Sequence, residues 1–171
     1  STGNAAHELR TPLALIQTRL ELFAAEHSQM DAETAALLRF EQEQLERLSA
    51  LVRTLLDMSD LQSVPRTDCI DLAPMAEEVL VDLTPLAQKN GISLGAQCDD
   101  ISIVGSDALI YRLLFNLIEN GIKYNRPNGS VSVAVHQEAN QVSLRVSDTG
   151  FGISQEYRDS IFQPFFRVDK S

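Results

Sequence analysis

An apolar seam in the first third of the chain is the feature that most constrains its fold. Apolar side chains recur there at alternating intervals of four and three residues, a period of 3.5: Leu9, Leu13, Ile16, Leu20 and Phe23. A second series follows the polar stretch 27–31: Leu38, Leu45, Leu48, Val52 and Leu55. The two series predict an antiparallel helical hairpin. Because a lone hairpin cannot cover both seams, we expect two copies to pair into a dimeric four-helix bundle. The alternative is a hairpin that packs only on the rest of its own chain.

The pattern changes to mixed helix and strand after residue 63. A helix is predicted over 71–88, with Pro85 expected to bend or end it, and a second helix from Ser106 or Asp107 to about Tyr124. Alternating residues predict short strands at 92–94, 101–104, 130–136 and 141–147. The predicted fold class is therefore α+β, with a small sheet carrying helices on one face.

Composition excludes several classes of function. The 171 residues include 24 acidic and 14 basic side chains, a formal charge of −10, which repels phosphate backbones, so we expect no nucleic-acid partner. No apolar run approaches the ~20 residues that span a bilayer, so we expect no membrane contact by this fragment. Cys69 and Cys98 lack metal-ligand spacing and are expected to be free thiols, with a disulfide as the alternative.

The string HELRTPL at residues 7–13 places the imidazole of His7 beside the carboxylate of Glu8. A neutral imidazole nitrogen is a nucleophile near neutral pH, and a neighbouring carboxylate can orient the ring and accept its proton. Pro12 removes a helix hydrogen bond close to His7, and we expect a local bend there. The alternative is an ordinary exposed histidine on a helix.

A second group of polar residues lies on the predicted helix that ends near Tyr124. Asn116, Asn120, Lys123 and Tyr124 share one helical face. Carboxamide oxygens are suitable ligands for a phosphate-bound Mg²⁺, and a lysine can neutralise phosphate charge. The alternative is a solvated helix face with incidental amides.

The string DTGFGI at residues 148–153 follows a predicted strand. Gly150 and Gly152 permit close approach of the backbone to a flat ligand, and Asp148 can accept a hydrogen bond from an exocyclic amine. Farther on, Phe165 could close an apolar edge, and Arg167 could offer a guanidinium to a phosphate. Glycines that merely end a strand, and an aromatic turn that anchors the core, are the alternatives.

Taken together and in this order, these segments resemble the sensor histidine kinases of two-component signalling. Residues 7–13 are similar to the phosphoacceptor box, 116–125 to the Asn box, 148–153 to the first Gly box and 162–167 to the Phe box. The resemblance implies a dimerisation and histidine-phosphotransfer domain at 1–63. It implies an ATP-binding α/β sandwich of the histidine-kinase and gyrase type at 64–171, expected to lack the family's lid and second Gly box.

The resemblance also implies a role for each residue of the hairpin site. His7 would attack the γ-phosphate of ATP, with Glu8 as proton acceptor or orienting base. Thr11 matches the position that the family uses to orient water in the reverse phosphatase reaction.

In the second domain, Asp148 would read the adenine amine, and Asn120 with Asn116 would hold Mg²⁺. The other expected nucleotide-binding residues are Lys123, Tyr124, Gly150, Gly152, Ile153, Phe165 and Arg167. Two residues depart from the family pattern: Gly121 replaces a usual Ala, and Asn125 replaces a common Thr or Ser.

The implied activity is that of an ATP-dependent protein-histidine kinase, which autophosphorylates His7 and passes the phosphoryl group to an aspartate of a response regulator. A phosphatase activity toward that regulator is also implied. The chain is expected to be a homodimer and the cytoplasmic portion of an inner-membrane sensor protein. A non-catalytic dimeric phosphotransfer scaffold remains the alternative. An ATPase of the related gyrase type is disfavoured, because such enzymes place a catalytic Glu where this chain has Asn116.

Overall fold

The computed structural model describes residues 2–60 and 65–149. Its contacts divide the chain into two compact units, Ser1–Gln62 and Ser63–Ser171, which are described separately below. In the described ranges, no helix combines the length and apolar character needed to cross a bilayer.

The first unit is a helical hairpin, as the apolar seams predict. Helix α1 (Thr2–Glu26) and helix α2 (Ala32–Asp60) are joined by residues 27–31. The two helices share a small apolar core, with these side chains buried or partly buried: Ala6, Leu13, Leu45, Val52, Leu55 and Leu56.

The hairpin closes over only part of its seam. Leu13 is buried, whereas Leu9, Ile16 and Phe23 remain 47%, 46% and 42% exposed. These three residues are seven apart, so they form one continuous stripe along α1. An apolar stripe of this kind is costly to leave in water, and it marks a surface suited to association.

Helix α1 runs unbroken through Pro12. A proline has no N–H to donate, so the carbonyl group of Glu8, four residues earlier, has no backbone donor at that point of the ladder. The expected bend at Pro12 stays a prediction.

The turn between the helices has polar contacts at both ends. His27 places its Nδ1 3.0 Å from the carbonyl oxygen of Phe23 and stacks on the Phe23 ring, with centroids 4.1 Å apart. Asp31 precedes α2, and its Oδ1 accepts a hydrogen bond of 2.8 Å from the backbone N–H of Thr34. The hydrogen bonds from Thr34 lower the pKa of Asp31 below its ordinary value of 3.8.

Two helices and five strands follow in residues 65–149. In chain order they are β1 (Asp68–Asp71), α3 (Leu72–Asn90), β2 (Ser93–Cys98), β3 (Ser102–Gly105), α4 (Asp107–Lys123), β4 (Ser130–Glu138) and β5 (Gln141–Asp148). Strands β1 and β3 form an antiparallel pair. In the second sheet, of order β2-β4-β5, β4 is parallel to β2 and antiparallel to β5.

The observed elements correct three expectations. The strands form two sheets rather than one, and β1 was not anticipated. Ile70 is the single buried residue of β1, so the strand carries no alternating pattern. Helix α3 also continues past Pro85 instead of ending there, because the buried Leu83 and Ala87 on either side of it anchor the helix; the bend expected as the other outcome stays a prediction. It ends at Gly91, whose φ of 66° is left-handed and favours glycine.

The core of the second unit lies between the helices and the three-stranded sheet. Buried side chains alternate along β4 and β5, so one face of this sheet is apolar: Val131, Val133, Val135, Val142, Leu144 and Val146. Ser106 caps the N-terminus of α4, and its hydroxyl accepts a hydrogen bond from the N–H of Leu109 at 3.3 Å. The apolar face of α4 includes the fully buried Leu114 and Ile118 and fixes the rotation of the helix about its axis.

Cys69 and Cys98 are free thiols, as expected. Cys69 is exposed and Cys98 is half-buried at the end of β2. Burial raises the pKa of the Cys98 thiol, and the nearby carboxylates of Glu77 and Asp99 act in the same direction.

Asp31 gives a testable dependence of hairpin stability on pH. Its pKa is lower in the folded state than in the unfolded chain, so its stabilising effect is present above the unfolded pKa and is lost as pH falls through the folded pKa. We expect Asp31→Ala to lower the unfolding midpoint at neutral pH. Asp31→Asn, which keeps an acceptor oxygen, should lose less at neutral pH and should lack this acid-dependent decline. Thermal unfolding followed by circular dichroism from neutral pH to about pH 2 measures both effects. Equal acid-dependent declines in the native chain and in Asp31→Asn would contradict the assignment.

Candidate functional site

The residues predicted to carry chemistry in the hairpin lie together on α1. At about 100° per residue, His7 lies about 160° around the helix from Leu9, on the side opposite the apolar stripe. His7, Glu8 and Thr11 are all exposed. His7 and Thr11 line one shallow groove along α1 with Arg10, Ala14, Leu15 and Thr18. The imidazole is therefore presented on an exposed helix face that the hairpin core does not occupy.

The predicted polar face of α4 is present and half-buried. Asn116 and Asn120 lie one turn apart, between buried neighbours that pack on the sheet. Tyr124 follows the helix, and its backbone N–H donates to the carbonyl oxygen of Asn120 at 3.1 Å. The two carboxamides are thus held at the rim of the core, where their oxygens can reach a ligand while their helix stays fixed.

Lys123 is paired within its own helix. Its Nζ lies 3.2 Å from Oε1 of Glu119, four residues earlier, and nearly half of the lysine side chain is exposed. An exposed pair of this kind contributes little to stability and opens easily. The sequence reasoning missed Glu119, although the i,i+4 spacing of opposite charges is a recognisable signal.

Asp148, the last residue of β5, lies against α4. A Cβ atom built on Gly121 would stand 3.5 Å from Oδ2 of Asp148, and 3.1 and 3.3 Å from the two γ-carbons of Val131. A Cβ at this position would meet Val131 more closely than side chains usually do, so glycine avoids a tight contact that the family's usual Ala would make here. The structure therefore brings the carboxylate of Asp148 to the α4 residue that directly follows Asn120.

Further predicted nucleotide-binding residues lie outside the described residues: Gly150, Gly152, Ile153, Phe165 and Arg167. Their roles stay predictions. Conversely, the structure places Asn125 and Thr149 in contact, with Thr149 Oγ1 3.1 Å from Asn125 Oδ1, and the sequence reasoning assigned neither residue a role. The sequence offered one clue to a role for Thr149, which is that it directly follows the candidate base-reading residue Asp148.

Comparison with known proteins places both units in one family. Residues 2–64 match the family model of the His Kinase A (phospho-acceptor) domain, and residues 105–171 match that of the histidine kinase-, DNA gyrase B-, and HSP90-like ATPase. The sensor protein kinase PmrB of Pseudomonas aeruginosa is 31% identical over 97% of this chain and 35% of its own length. The sensor histidine kinase RppB of Synechocystis is 31% identical over 99% of this chain and 38% of its own length.

One solved structure, that of full-length ShkA in complex with AMPPNP, has the same fold. The match covers 91% of this chain and 34% of the ShkA chain, with a TM-score of 0.50 and 21% sequence identity. The chain spans little more than a third of the length of the two curated relatives above.

A phospho-acceptor hairpin followed by an ATPase-type α/β unit defines the class of two-component sensor kinases. The chain belongs to the sensor histidine kinase family.

The close approach at Gly121 can be tested by filling it. We expect Gly121→Leu to lower the free energy of unfolding by about 1–3 kcal/mol, because the fully buried Val131 leaves no room for a side chain. Arg112→Leu is the matched control, since Arg112 is exposed on the same helix. Urea unfolding of both variants measures the difference. A loss for Gly121→Leu no larger than that for Arg112→Leu would contradict the packing described here.

Proposed function

We propose that the protein is an ATP-dependent protein-histidine kinase that phosphorylates its own His7. The domains of the proposal are a dimerisation and phosphotransfer domain at 1–63 and a nucleotide-binding domain at 64–171. The observation that carries the proposal is the approach of Asp148 to α4, where its Oδ2 lies 3.5 Å from a Cβ position at Gly121, the residue that follows Asn120 in the chain. It joins a carboxylate that can read a base to carboxamides that can hold a metal-phosphate group.

The donor set on α4 fits Mg²⁺ bound to phosphate. Asn116 and Asn120 offer two neutral, hard oxygens one turn apart, and Mg²⁺ commonly takes only one or two protein ligands besides phosphate oxygens and water. In the proposal these two residues hold the ion, and the ion neutralises phosphate charge when it is bound. Lys123 and Tyr124 lie at the same end of α4 and would contact the phosphates, with Lys123 leaving Glu119 as it does so.

In the proposal, two residues of α1 supply the nucleophile and the proton acceptor for phosphoryl transfer. One ring nitrogen of His7 attacks the γ-phosphorus, a P–N bond forms, and the bond between the γ-phosphorus and the bridging oxygen breaks to release ADP. The other ring nitrogen loses its proton to Glu8, the adjacent carboxylate. Positioning and charge neutralisation supply most of the catalysis in such transfers. The exposure of both side chains supports the proposal, because the acceptor must be reachable by a bound nucleotide.

The proposed phosphoryl acceptor is an aspartate of a separate response regulator. The exposed groove that His7 lines supports this assignment, because a second protein must reach the same imidazole. Thr11, one turn after His7 in that groove, is proposed to orient water for the reverse phosphatase reaction. By its family, the chain is proposed to be the cytoplasmic portion of a membrane sensor.

The hairpin is proposed to dimerise through its uncovered stripe. Leu9, Ile16 and Phe23 remain over two-fifths exposed along α1, opposite the face of His7. Pairing two hairpins through these side chains would bury the stripe in a four-helix bundle and leave both copies of His7 facing outward. Burial of this kind is the dominant favourable term in most associations.

Phosphorylation of His7 is tested with γ-labelled ATP. We expect label that is stable to base and labile to acid on the native chain, and none on His7→Gln, because the substitution removes the nucleophile. His27→Gln is the matched control, because His27 is an exposed histidine of the same hairpin that lies just beyond the far end of α1. Label that persists in His7→Gln would contradict the proposed acceptor. Absence of label from the native protein would favour the non-catalytic phosphotransfer scaffold.

Dimerisation is tested with a pair of charge substitutions on α1. We expect Ile16→Glu to shift the protein from dimer to monomer, because a carboxylate would be buried in the bundle. Leu15→Glu is the control: Leu15 is 65% exposed but lies on the groove side of the helix. Sedimentation equilibrium across a range of concentrations measures both. A monomeric native chain, or equal effects of the two substitutions, would contradict the interface.

A further inference from the structure

We propose that Asn125 and Thr149 form a clamp that holds Asp148 in place and so sets the base selectivity of the nucleotide site. The clamp is defined as the side chains of Asn125 and Thr149 with the backbone of Ser130. The inference rests on the proposed function and deepens it, because it assigns positioning residues to the base-reading carboxylate.

The carboxamide of Asn125 connects three segments of chain. Its Nδ2 donates to the carbonyl oxygen of Ser130 at 2.9 Å. Its Oδ1 accepts from the N–H of Arg126 at 2.8 Å and from the hydroxyl of Thr149 at 3.1 Å. Asn125, two residues past the end of α4, is thereby tied both to the start of β4 and to the chain just beyond β5. A carboxamide places its donor and its acceptor on two separate atoms, whereas a hydroxyl has a single oxygen for both.

Thr149 closes the ring of hydrogen bonds. Its Oγ1 accepts from the N–H of Ser130 at 2.9 Å while donating to Asn125, and its own N–H donates to the carbonyl oxygen of Ser130 at 3.1 Å. The backbone of Thr149 therefore continues the pairing with β4 one residue past the end of β5. Both the side chain and the main chain of this residue are held.

Gly129 shows how closely the clamp is packed. A Cβ atom on Gly129 would lie 2.1 Å from Oδ1 of Asn125 and 2.6 Å from Oγ1 of Thr149, distances that no side chain can occupy. The glycine is itself fixed, because its carbonyl oxygen accepts from the N–H of Ser93 at 3.0 Å. In the turn before β4, the backbone of Gly129 therefore lies directly against the side chains of Asn125 and Thr149.

The consequence for Asp148 follows from strand geometry. Successive side chains of an extended chain point to opposite sides, so holding Thr149 toward Asn125 directs Asp148 toward α4 and Gly121. Asp148 is also paired in register with Val131, the residue after Ser130. Loss of the Thr149 hydroxyl would break the ring of hydrogen bonds among Asn125, Thr149 and Ser130. The backbone beside Asp148 would then be held less firmly, and the direction of its carboxylate would be less well defined.

The chemical consequence is selectivity between purine bases. An aspartate that accepts from the exocyclic amine of adenine meets an oxygen atom at that position in hypoxanthine, so ATP is preferred to inosine triphosphate. A loosened Asp148 can retreat from the oxygen atom and is worse placed for the amine. The preference for ATP should therefore fall, whereas a general loss of fold would weaken both nucleotides alike.

The test compares two substitutions of nearly equal size at Thr149. Thr149→Val removes the hydroxyl, and Thr149→Ser keeps it. Titration calorimetry with ATP and with inosine triphosphate gives the ratio of the two dissociation constants for each variant. We expect Thr149→Val to reduce the preference for ATP by about tenfold or more, and Thr149→Ser to keep it within about threefold, because displaced recognition groups cost affinity steeply. Thr84→Val, which removes a hydroxyl bonded to a helix carbonyl in α3, should leave the ratio unchanged.

A second substitution tests the same clamp from its other side. Asn125→Ala should lower the ATP preference in the same direction, and the double variant should lower it no further than the larger single effect, because both changes open one ring. Circular dichroism melts establish that each variant is folded, and Asn125→Ala decides the matter if Thr149→Val does not fold.

The outcomes separate the two levels of the proposal. A native chain that binds neither nucleotide refutes the proposed function and the clamp with it. A native chain that prefers ATP, together with folded Thr149→Val and Asn125→Ala variants that keep the preference, refutes the clamp alone. An equal loss of affinity for both nucleotides also refutes it, since that result marks a merely structural role.

Discussion

The packing of α4 on the apolar face of β4 and β5 is the constraint on which the second unit depends. Leu114 and Ile118 are fully buried against a sheet whose Val131 and Val133 are equally inaccessible. Protein cores are packed too densely for a helix to rotate freely under such contacts. The polar face of α4 therefore has one orientation, and Asn120 has one place relative to the end of β5. The chemistry proposed for this unit follows from an apolar contact.

The two roles proposed for the hairpin fall on different sides of one helix. The inner side of α1 contributes Leu13 to the core that it shares with Val52 of α2, and the neighbouring stripe through Ile16 stays uncovered. His7 lies on the remaining side, away from both. Under the proposed function, the residue that reacts with other molecules must be accessible, and the stripe through which two hairpins associate must be apolar. The seam of period 3.5 accommodates both requirements in a single helix.

Local signals in the sequence predicted much of this arrangement. The hairpin and α4 were predicted closely, because each has a long apolar period and α4 also has a capping Ser106. Strand β1 was missed, since four residues with one buried side chain carry no period. The family resemblance named Asn120 and Asp148 as candidate site residues, whereas local propensity alone could not have predicted that Asp148 lies against α4. The partnership of Asn125 with Thr149 was not predictable, because it joins residues 24 apart through side chains whose types recur at many ordinary positions.

The Asn125 clamp also has a thermodynamic counterpart. Any ligand that binds the ordered form of Asp148 more tightly than the loosened form must, by the same amount, favour the closed ring of hydrogen bonds around Thr149. Under the proposed function, the binding of nucleotide and the closing of this ring of hydrogen bonds are therefore thermodynamically coupled. The bare backbone of Gly129 makes that coupling possible, because it lets three segments share a space too small for any side chain.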